Sequence, residues 1–270
     1  MSNTRRHINW HLAKETVKHQ LLSGYWRGHH VHSPFVYHII RHVITTRHTD
    51  EMLRAKAAQY RRDIYSDKEV VEVEDLGTGA TRDPKRRISD IARRTSIGSK
   101  YGLMIARLAH DLNPKTIIEL GTSMGMSTFY LASGASDARV ISIEGSREVA
   151  IRAEKMLNTH GISNVEVRNG NFDNLLPQIL EETNGAELVY IDGNHTYEAT
   201  MRYFNMAARV MSPLSVIILD DIHWSEGMSR AWQEIVQDTR VMSTIDTLHM
   251  GIAYFRTGCQ KEHFRLRWNL

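Results

Sequence analysis

The sequence predicts an α/β protein: a doubly wound, mostly parallel seven-stranded sheet with an antiparallel last strand and an N-terminal helical extension. Three observations carry this. Short apolar runs alternate with amphipathic helical stretches from residue 101 to residue 238, the pattern of a parallel sheet covered on both faces. The last apolar runs, 243–248 and 252–255, are separated only by His249-Met250-Gly251 and read as an antiparallel pair. Residues 1–65 carry helical periodicity but amount to two or three helices rather than a domain.

In the first of these regions the apolar positions are Leu12, Val17, Leu21 and Leu22, then Phe35, Ile39, Ile40 and Val43, with interruptions at Gly24, Gly28 and Ser33-Pro34. Residues 70–73 read as a short strand. Residues 77–100, rich in Gly, Arg, Ser and Thr, read as a basic loop or lid with a short helix. A helix over 101–112 ends at Asn113-Pro114. Strands are then expected at 116–120, 139–143, 165–168, 187–191 and 216–219. Helices are expected at 125–132, 146–160, 174–182, 197–210 and 226–238, the second capped by Ser146 and closed by Gly161. The expected division is a helical extension over 1–65, a basic loop or lid over 66–100, the sheet domain over 101–258 and a tail over 259–270.

Composition narrows the function classes. Apolar residues are 41% and charged residues 24% of the 270, ordinary for a globular protein able to bury a core without staples. Cys259 is the single cysteine, which excludes an intramolecular disulfide and fits a reducing cytoplasm. No run approaches the roughly 20 apolar residues of a membrane helix, and the polar, basic start does not read as a signal peptide. A net charge of +3 is too small to argue for nucleic acid. Charge and histidine are nevertheless uneven. Nine of the fifteen His lie between His7 and His48, and seven basic residues lie between Arg82 and Lys100.

Ligands of such sheets bind beyond the carboxyl ends of the strands, so the residues directly after each strand matter most. After the first comes Glu119-Leu120-Gly121-Thr122-Ser123-Met124-Gly125-Met126-Ser127. Its glycines let a backbone approach a ligand closely, yet G-x-x-x-G is not the G-x-G-x-x-G of a dinucleotide fingerprint. After the second comes Glu144-Gly145, with Glu144 23 residues beyond Gly121, where a carboxylate can accept from both hydroxyls of a ribose. After the third comes Asn169-Gly170-Asn171-Phe172, an amide and an aromatic face able to frame an adenine. Asp75-Leu76-Gly77-Thr78-Gly79 is a similar acid–glycine turn, but no apolar helix follows and it reads as a hinge.

These residues resemble the class I S-adenosylmethionine-dependent methyltransferases. The stretch 117–127 is similar to their first motif, E-x-G-x-x-x-G, and Glu144 stands where the family's ribose-binding acid stands. The resemblance covers roughly 95–258 and implies a Rossmann-like fold with S-adenosylmethionine as cofactor. Glu119, Gly121, Thr122, Ser123, Gly125, Ser127, Glu144, Gly145, Asn171, Phe172 and Asp192 would line its site. Ser99 and Lys100, just ahead of the helix leading into the first strand, would join them.

The fourth and fifth strand ends are acidic: Asp192-Gly193-Asn194-His195, and Asp220-Asp221-Ile222-His223-Trp224. Asp192, Asp220 and Asp221 offer oxygen ligands that suit Mg²⁺ or Mn²⁺, and such an ion would acidify and orient an acceptor hydroxyl. This is similar to the metal-dependent O-methyltransferases of the catechol and caffeoyl-CoA type. D-G-x-H followed by D-D resembles most closely a subgroup that includes cephalosporin-hydroxylase-type proteins. The catechol type usually carries Asp-Asn where this chain has Asp-Asp. A second reading has Asp192 and Asp220 orient the cofactor's amino group and the substrate without metal. His195 and His223 are candidate general bases, since a neutral imidazole can take a hydroxyl proton.

The expected reaction is methyl transfer to an oxygen of a small-molecule acceptor, an anionic one if the basic stretch closes over it. Trp26 and the His29-His30-Val31-His32 cluster read as a packed turn, with Trp26 or His32 also placed to meet substrate. The N-terminal helices are a candidate homodimer surface. The rival readings are an NAD-binding protein, a non-catalytic module that keeps the pocket, and an RNA-modifying methyltransferase. The missing third glycine argues against NAD. The absence of N-P-P-Y, of a catalytic cysteine and of a recognisable RNA-binding appendage argues against nucleic acid.

Overall fold

A computed structural model of the chain describes residues 9–24, 31, 33–46, 50–74, 84–255 and 260–268. Trp26, His29, His30, His32, Gly77, Gly79 and Cys259 lie outside the described residues. The N-terminal part comprises α1 (Trp10–Leu22), α2 (Pro34–His38) running into a π-helical turn (Ile39–Ile44), and α3 (Glu51–Ser66). Ser33-Pro34, which reads as an interruption, starts α2: Ser33 caps Val36 N–H and Pro34 occupies the first turn, where a missing N–H costs nothing. Next come β1 (Val70–Glu72) and β2 (Lys85–Arg87), paired antiparallel as a separate two-stranded sheet, then α4 (Ile88–Thr95) and α5 (Ser99–Leu112).

The central sheet follows from the alternation. Its strands are β3 (Thr116–Leu120), β4 (Arg139–Glu144), β5 (Val165–Asn169), β6 (Leu188–Ile191), β7 (Val216–Leu219), β8 (Ser243–Asp246), β9 (Gly251–Tyr254) and β10 (Glu262–Arg265). They lie in the order β10-β8-β9-β7-β6-β3-β4-β5. The intervening helices are α6 (Met126–Gly134), α7 (Arg147–Thr159), α8 (Phe172–Glu182), α9 (Tyr197–Ala208) and α10 (Glu226–Gln237). β9 is antiparallel to both neighbours, as the short turn after residue 248 implies. The sheet exceeds the expected seven strands: β10, in the region read as a tail, adds parallel to β8 and makes eight among the described residues. Its Glu262-His263-Phe264-Arg265 carries a single large apolar residue, because an edge strand buries little and leaves a weak pattern.

Strand side chains alternate between two cores. Ile117, Val140, Leu188, Tyr190 and Ile218 face a core shared with the N-terminal helices, α5 and α6. Ile118, Ile141, Val189, Ile217 and Leu219 face the one shared with α8, α9 and α10. The first core reaches into the extension: Val36, Ile39, Ile40, Ile44, Tyr60 and Ile64 are all fully or almost fully buried. α1 departs from its apolar pattern. Val17, Leu21 and Leu22 are exposed while His19 is buried.

Tyr60 ties α3 to the sheet. Its ring packs against Phe129 and its hydroxyl donates to the Met124 carbonyl at 2.9 Å, within the turn after β3. Tyr60→Phe should leave that carbonyl unpaired in a dry site and lower unfolding free energy by about 1–2 kcal/mol in a urea titration; an unchanged midpoint would show that the bond contributes nothing.

Candidate active site

A cleft of about 830 Å³ opens at the carboxyl ends of β3, β4, β5, β6 and β7. Its geometry begins with the turn after β3. Gly121 has φ +104°, and a Cβ there would lie 2.0 Å from the Asp192 carbonyl oxygen, so only glycine lets the ends of β3 and β6 meet. Gly125 is required for another reason. It has φ +73°, and a Cβ there would meet the Tyr60 hydroxyl at 2.7 Å. Gly125 caps α6 and packs on α3 and does not line the cleft, whereas Gly121, Thr122, Ser123 and Ser127 do.

Glu119 is fully buried behind this turn, outside the cleft lining. It accepts from Thr128 Oγ1 at 2.5 Å and Ser142 Oγ at 2.6 Å. Burial pushes its carboxyl up to about 7, with hydroxyl hydrogen bonds from Ser127, Ser142 and Thr128 opposing the rise and Glu144 adding to it. Its place is structural, under the loop it was expected to complete. Glu144 does line the cleft, with Gly145 beside it. The Glu144 oxygens accept from Ser123 N–H at 2.8 Å and Ser146 N–H at 3.0 Å, which orients the carboxylate and leaves lone pairs for a ligand. Burial raises its pKa against those backbone hydrogen bonds. Asn171 and Phe172 border the same end.

Asp192, His195, Asp220 and Asp221 also line the cleft. His195 Nε2 lies 3.5 Å from Asp192 Oδ1. Burial lifts the Asp192 carboxyl well above the ordinary range, and repulsion from Asp221 and Glu119 adds to it. Burial does the same for Asp220, reinforced by Asp192 and Asp221 and relieved in part by His195. Among the described residues, no group of three or more His, Cys, Asp or Glu converges as a metal's ligand set.

Three further expectations are corrected. His223 is buried and turned away from the cleft, with Nδ1 3.0 Å from Ser229 Oγ and Nε2 3.0 Å from Asp246 Oδ2. Ser99 is exposed and lies outside the lining. Lys100 sits over the Trp268 ring, 3.9 Å from its centre, and also lies outside. Ser96, Ile97 and Gly98 border the cleft instead. Sequence reasoning passed over Tyr101, Trp224, His249 and Met250, which complete the wall beside the acids. His249 and Met250 occupy the turn at the carboxyl end of β8, which the strand-end rule could have found. Burial lowers the His249 pKa, partly offset by Asp221.

Residues 118–222 match the family model described as a methyltransferase domain. A catechol O-methyltransferase of Niastella koreensis is 31% identical over 130 residues, 47% of this chain and 58% of that protein. A catechol O-methyltransferase of Mycobacterium tuberculosis is 29% identical over 131 residues, 48% of this chain and 58% of that protein. The chain thus spans less than two thirds of the length of these relatives. An O-methyltransferase from Bacillus cereus, solved in complex with SAH, superposes with a TM-score of 0.55 at 20% identity, covering 78% of this chain and 93% of the other. An SAH-bound methyltransferase from Podospora anserina gives 0.57 at 12% identity, covering 95% and 100%. The fold is that of the class I S-adenosylmethionine-dependent methyltransferases. Residues 118–222 are thus similar to a methyltransferase domain, and the chain shares its fold with solved O-methyltransferases.

Two consequences follow from the turn after β3. Gly121→Ala should cost at least about 2 kcal/mol in thermal or urea unfolding, since both a positive φ and a backbone clash oppose it; wild-type stability would mean β3 and β6 can separate freely. Glu119 also predicts a pH slope. The unfolded carboxyl ionises near its ordinary value of 4.5 and the folded one at about 7, so between them the folded chain holds an extra proton. Stability should therefore fall as pH rises from about 4.5 to 7, by roughly 3 kcal/mol from this group. Glu119→Gln should flatten that slope in a pH series of urea titrations.

Proposed function

We propose that this chain binds S-adenosylmethionine in the cleft and transfers its methyl group to a hydroxyl oxygen of a small-molecule acceptor. The observation that carries the reading is the one cleft lined by Glu144, Asn171 and Phe172 together with Asp192, His195, Asp220 and Asp221 around the Gly121 turn. The residues suit the cofactor. Glu144 offers oriented lone pairs to a ribose, Phe172 and Asn171 offer a face and an amide to an adenine, and Ser123 and Gly121 leave room for the chain between. S-adenosylmethionine, when bound, supplies a methyl group already activated on a sulfonium.

The protein has three tasks in this reading: to align acceptor oxygen, methyl and sulfur, to exclude water, and to receive one proton. His195, whose imidazole stands beside Asp192, would receive the acceptor's hydroxyl proton. Asp192 holds that imidazole in place and stabilises the charge it gains. No step is assigned to a metal. Arg86 and Arg94 border the cleft and support an acceptor carrying a carboxylate, a phosphate or a CoA thioester.

Calorimetry with S-adenosylmethionine and SAH tests the first half of this reading. Wild type should bind in the micromolar range, about 8 kcal/mol, and Glu144→Ala should bind at least about tenfold more weakly. Absence of wild-type binding would refute the cofactor assignment. Mass spectrometry of catechol-type acceptors incubated with wild type and His195→Ala tests the second half, with product expected from wild type and strongly reduced in the variant.

A further inference from the structure

Asp246, at the end of β8, is fully buried and lies outside the cleft. Its Oδ1 accepts from the Leu248 N–H at 2.8 Å and lies 3.2 Å from His19 Nε2. Its Oδ2 lies 3.0 Å from His223 Nε2 and accepts from Trp232 Nε1 at 3.3 Å. Burial alone would raise this carboxyl, but hydrogen bonds from His19 and His223 hold it well below the ordinary range, so it is a charged anchor.

The two turns it grips are those that wall the acid end of the cleft. His223 belongs to the turn after β7, whose Asp221 and Trp224 line the cleft. Leu248 belongs to the turn after β8, whose His249 and Met250 do so. Both turns carry a non-glycine residue in the left-handed region, Asp221 at φ +52° and Leu248 at φ +79°, so neither is a relaxed loop. Ile222 N–H donates to the His249 carbonyl at 3.1 Å and joins them. Ser229, His223 and Asp246 form a serine–imidazole–carboxylate chain, but Ser229 is buried and its hydroxyl also meets His11 Nε2 at 2.9 Å, so it offers no exposed nucleophile.

We infer that His223 and Asp246 are positioning residues that hold both turns in register and thereby set acceptor affinity without touching the acceptor. This rests on the proposed methyl transfer for its kinetic consequence and on geometry alone for the anchoring. His223→Leu removes both ring contacts. His223→Gln keeps an amide N–H for Asp246 and an oxygen for Ser229.

Amide hydrogen exchange decides the anchoring. His223→Leu should speed exchange about tenfold or more in 220–225 and 247–250 while 119–127 stays at wild-type rates. SAH affinity by calorimetry should stay within about twofold. With 3,4-dihydroxybenzoate as probe, KM should rise about tenfold with a smaller change in kcat, and His223→Gln should recover most of the loss. If His223→Leu does not fold, Asp246→Asn, which keeps shape and one acceptor oxygen, is measured in its place. Wild-type exchange in both turns, or an equal rise everywhere, overturns the inference. Faster exchange in both turns with unchanged KM confines it to structure and overturns the kinetic part. Absence of product from wild type refutes the proposed acceptor chemistry while exchange still decides the anchoring.

Discussion

Gly121 and the carbonyl of Asp192 approach so closely that no Cβ fits between them, and the remaining site geometry depends on that approach. β3 pairs with β4 on one side and β6 on the other, so chain order reverses across it and the flanking helices leave on opposite faces. A crevice opens there of necessity. What fills or narrows it depends on the first residue after β3. With no side chain on Gly121, Asp192 N–H can donate to the Leu120 carbonyl at 2.9 Å, and Gly121 N–H to the Ile143 carbonyl at 2.9 Å. The ends of three strands are thus fixed within one hydrogen-bonded patch. Glu144 and Asp192, each at the tip of a neighbouring strand, then stand on opposite sides of the turn.

That arrangement concentrates negative charge. Glu119, Glu144, Asp192 and Asp220 all have pKa values raised first by burial, and for Glu119, Asp192 and Asp220 further by each other or by Asp221. Bringing carboxylates together in a poorly solvated cleft costs free energy unless something positive offsets it. Hydroxyl partners offset part of that cost for Glu119, and backbone N–H groups offset part of it for Glu144. Among the described residues, Asp192 and Asp220 form no ion pair with arginine or lysine, and His195 lies near Asp192. A ligand carrying permanent positive charge would relieve this repulsion without any protein cation in the site, and a sulfonium is such a ligand. The electrostatics and the proposed cofactor are therefore mutually consistent, independently of motif spacing.

The strand-end residues were legible because sheet topology fixes where they go. Gly121, Glu144, Asn171, Asp192 and Asp220 reach the cleft from five separate strands, and apolar alternation alone located all five ends. The failures share another cause. Asp221 adopts a left-handed backbone without being glycine, and that turn sends His223 to the far side of the loop that carries Asp220. No local residue preference announces it. Gly125 reads as a ligand-contacting glycine, but its constraint comes from Tyr60, 65 positions earlier in the chain. Glu119 has the right identity for a binding acid, yet strand alternation points it at Ser142 and Thr128 rather than into the cleft.

The extension departs furthest from its pattern, and for a definite reason. Apolar periodicity predicts which face of a helix is buried only when the surface it covers is apolar. α1 covers Ser229, His223 and Asp246 and meets them through His11, Glu15 and His19, spaced four apart on one face. Asn9, at its start, donates to the carbonyl of Trp224 at 2.8 Å. A buried carboxylate needs donors on every side. α10 supplies Trp232 Nε1, the turn after β8 supplies Leu248 N–H, the turn after β7 supplies His223, and the remaining side is closed by His19. Hydrogen-bond demand thus decides which face of α1 turns inward, and Val17, Leu21 and Leu22 are left outside as the consequence. The same demand links the first helix of the chain to the wall of a cleft formed 200 residues later, a coupling carried by polar groups that a hydrophobic reading of the sequence passes over.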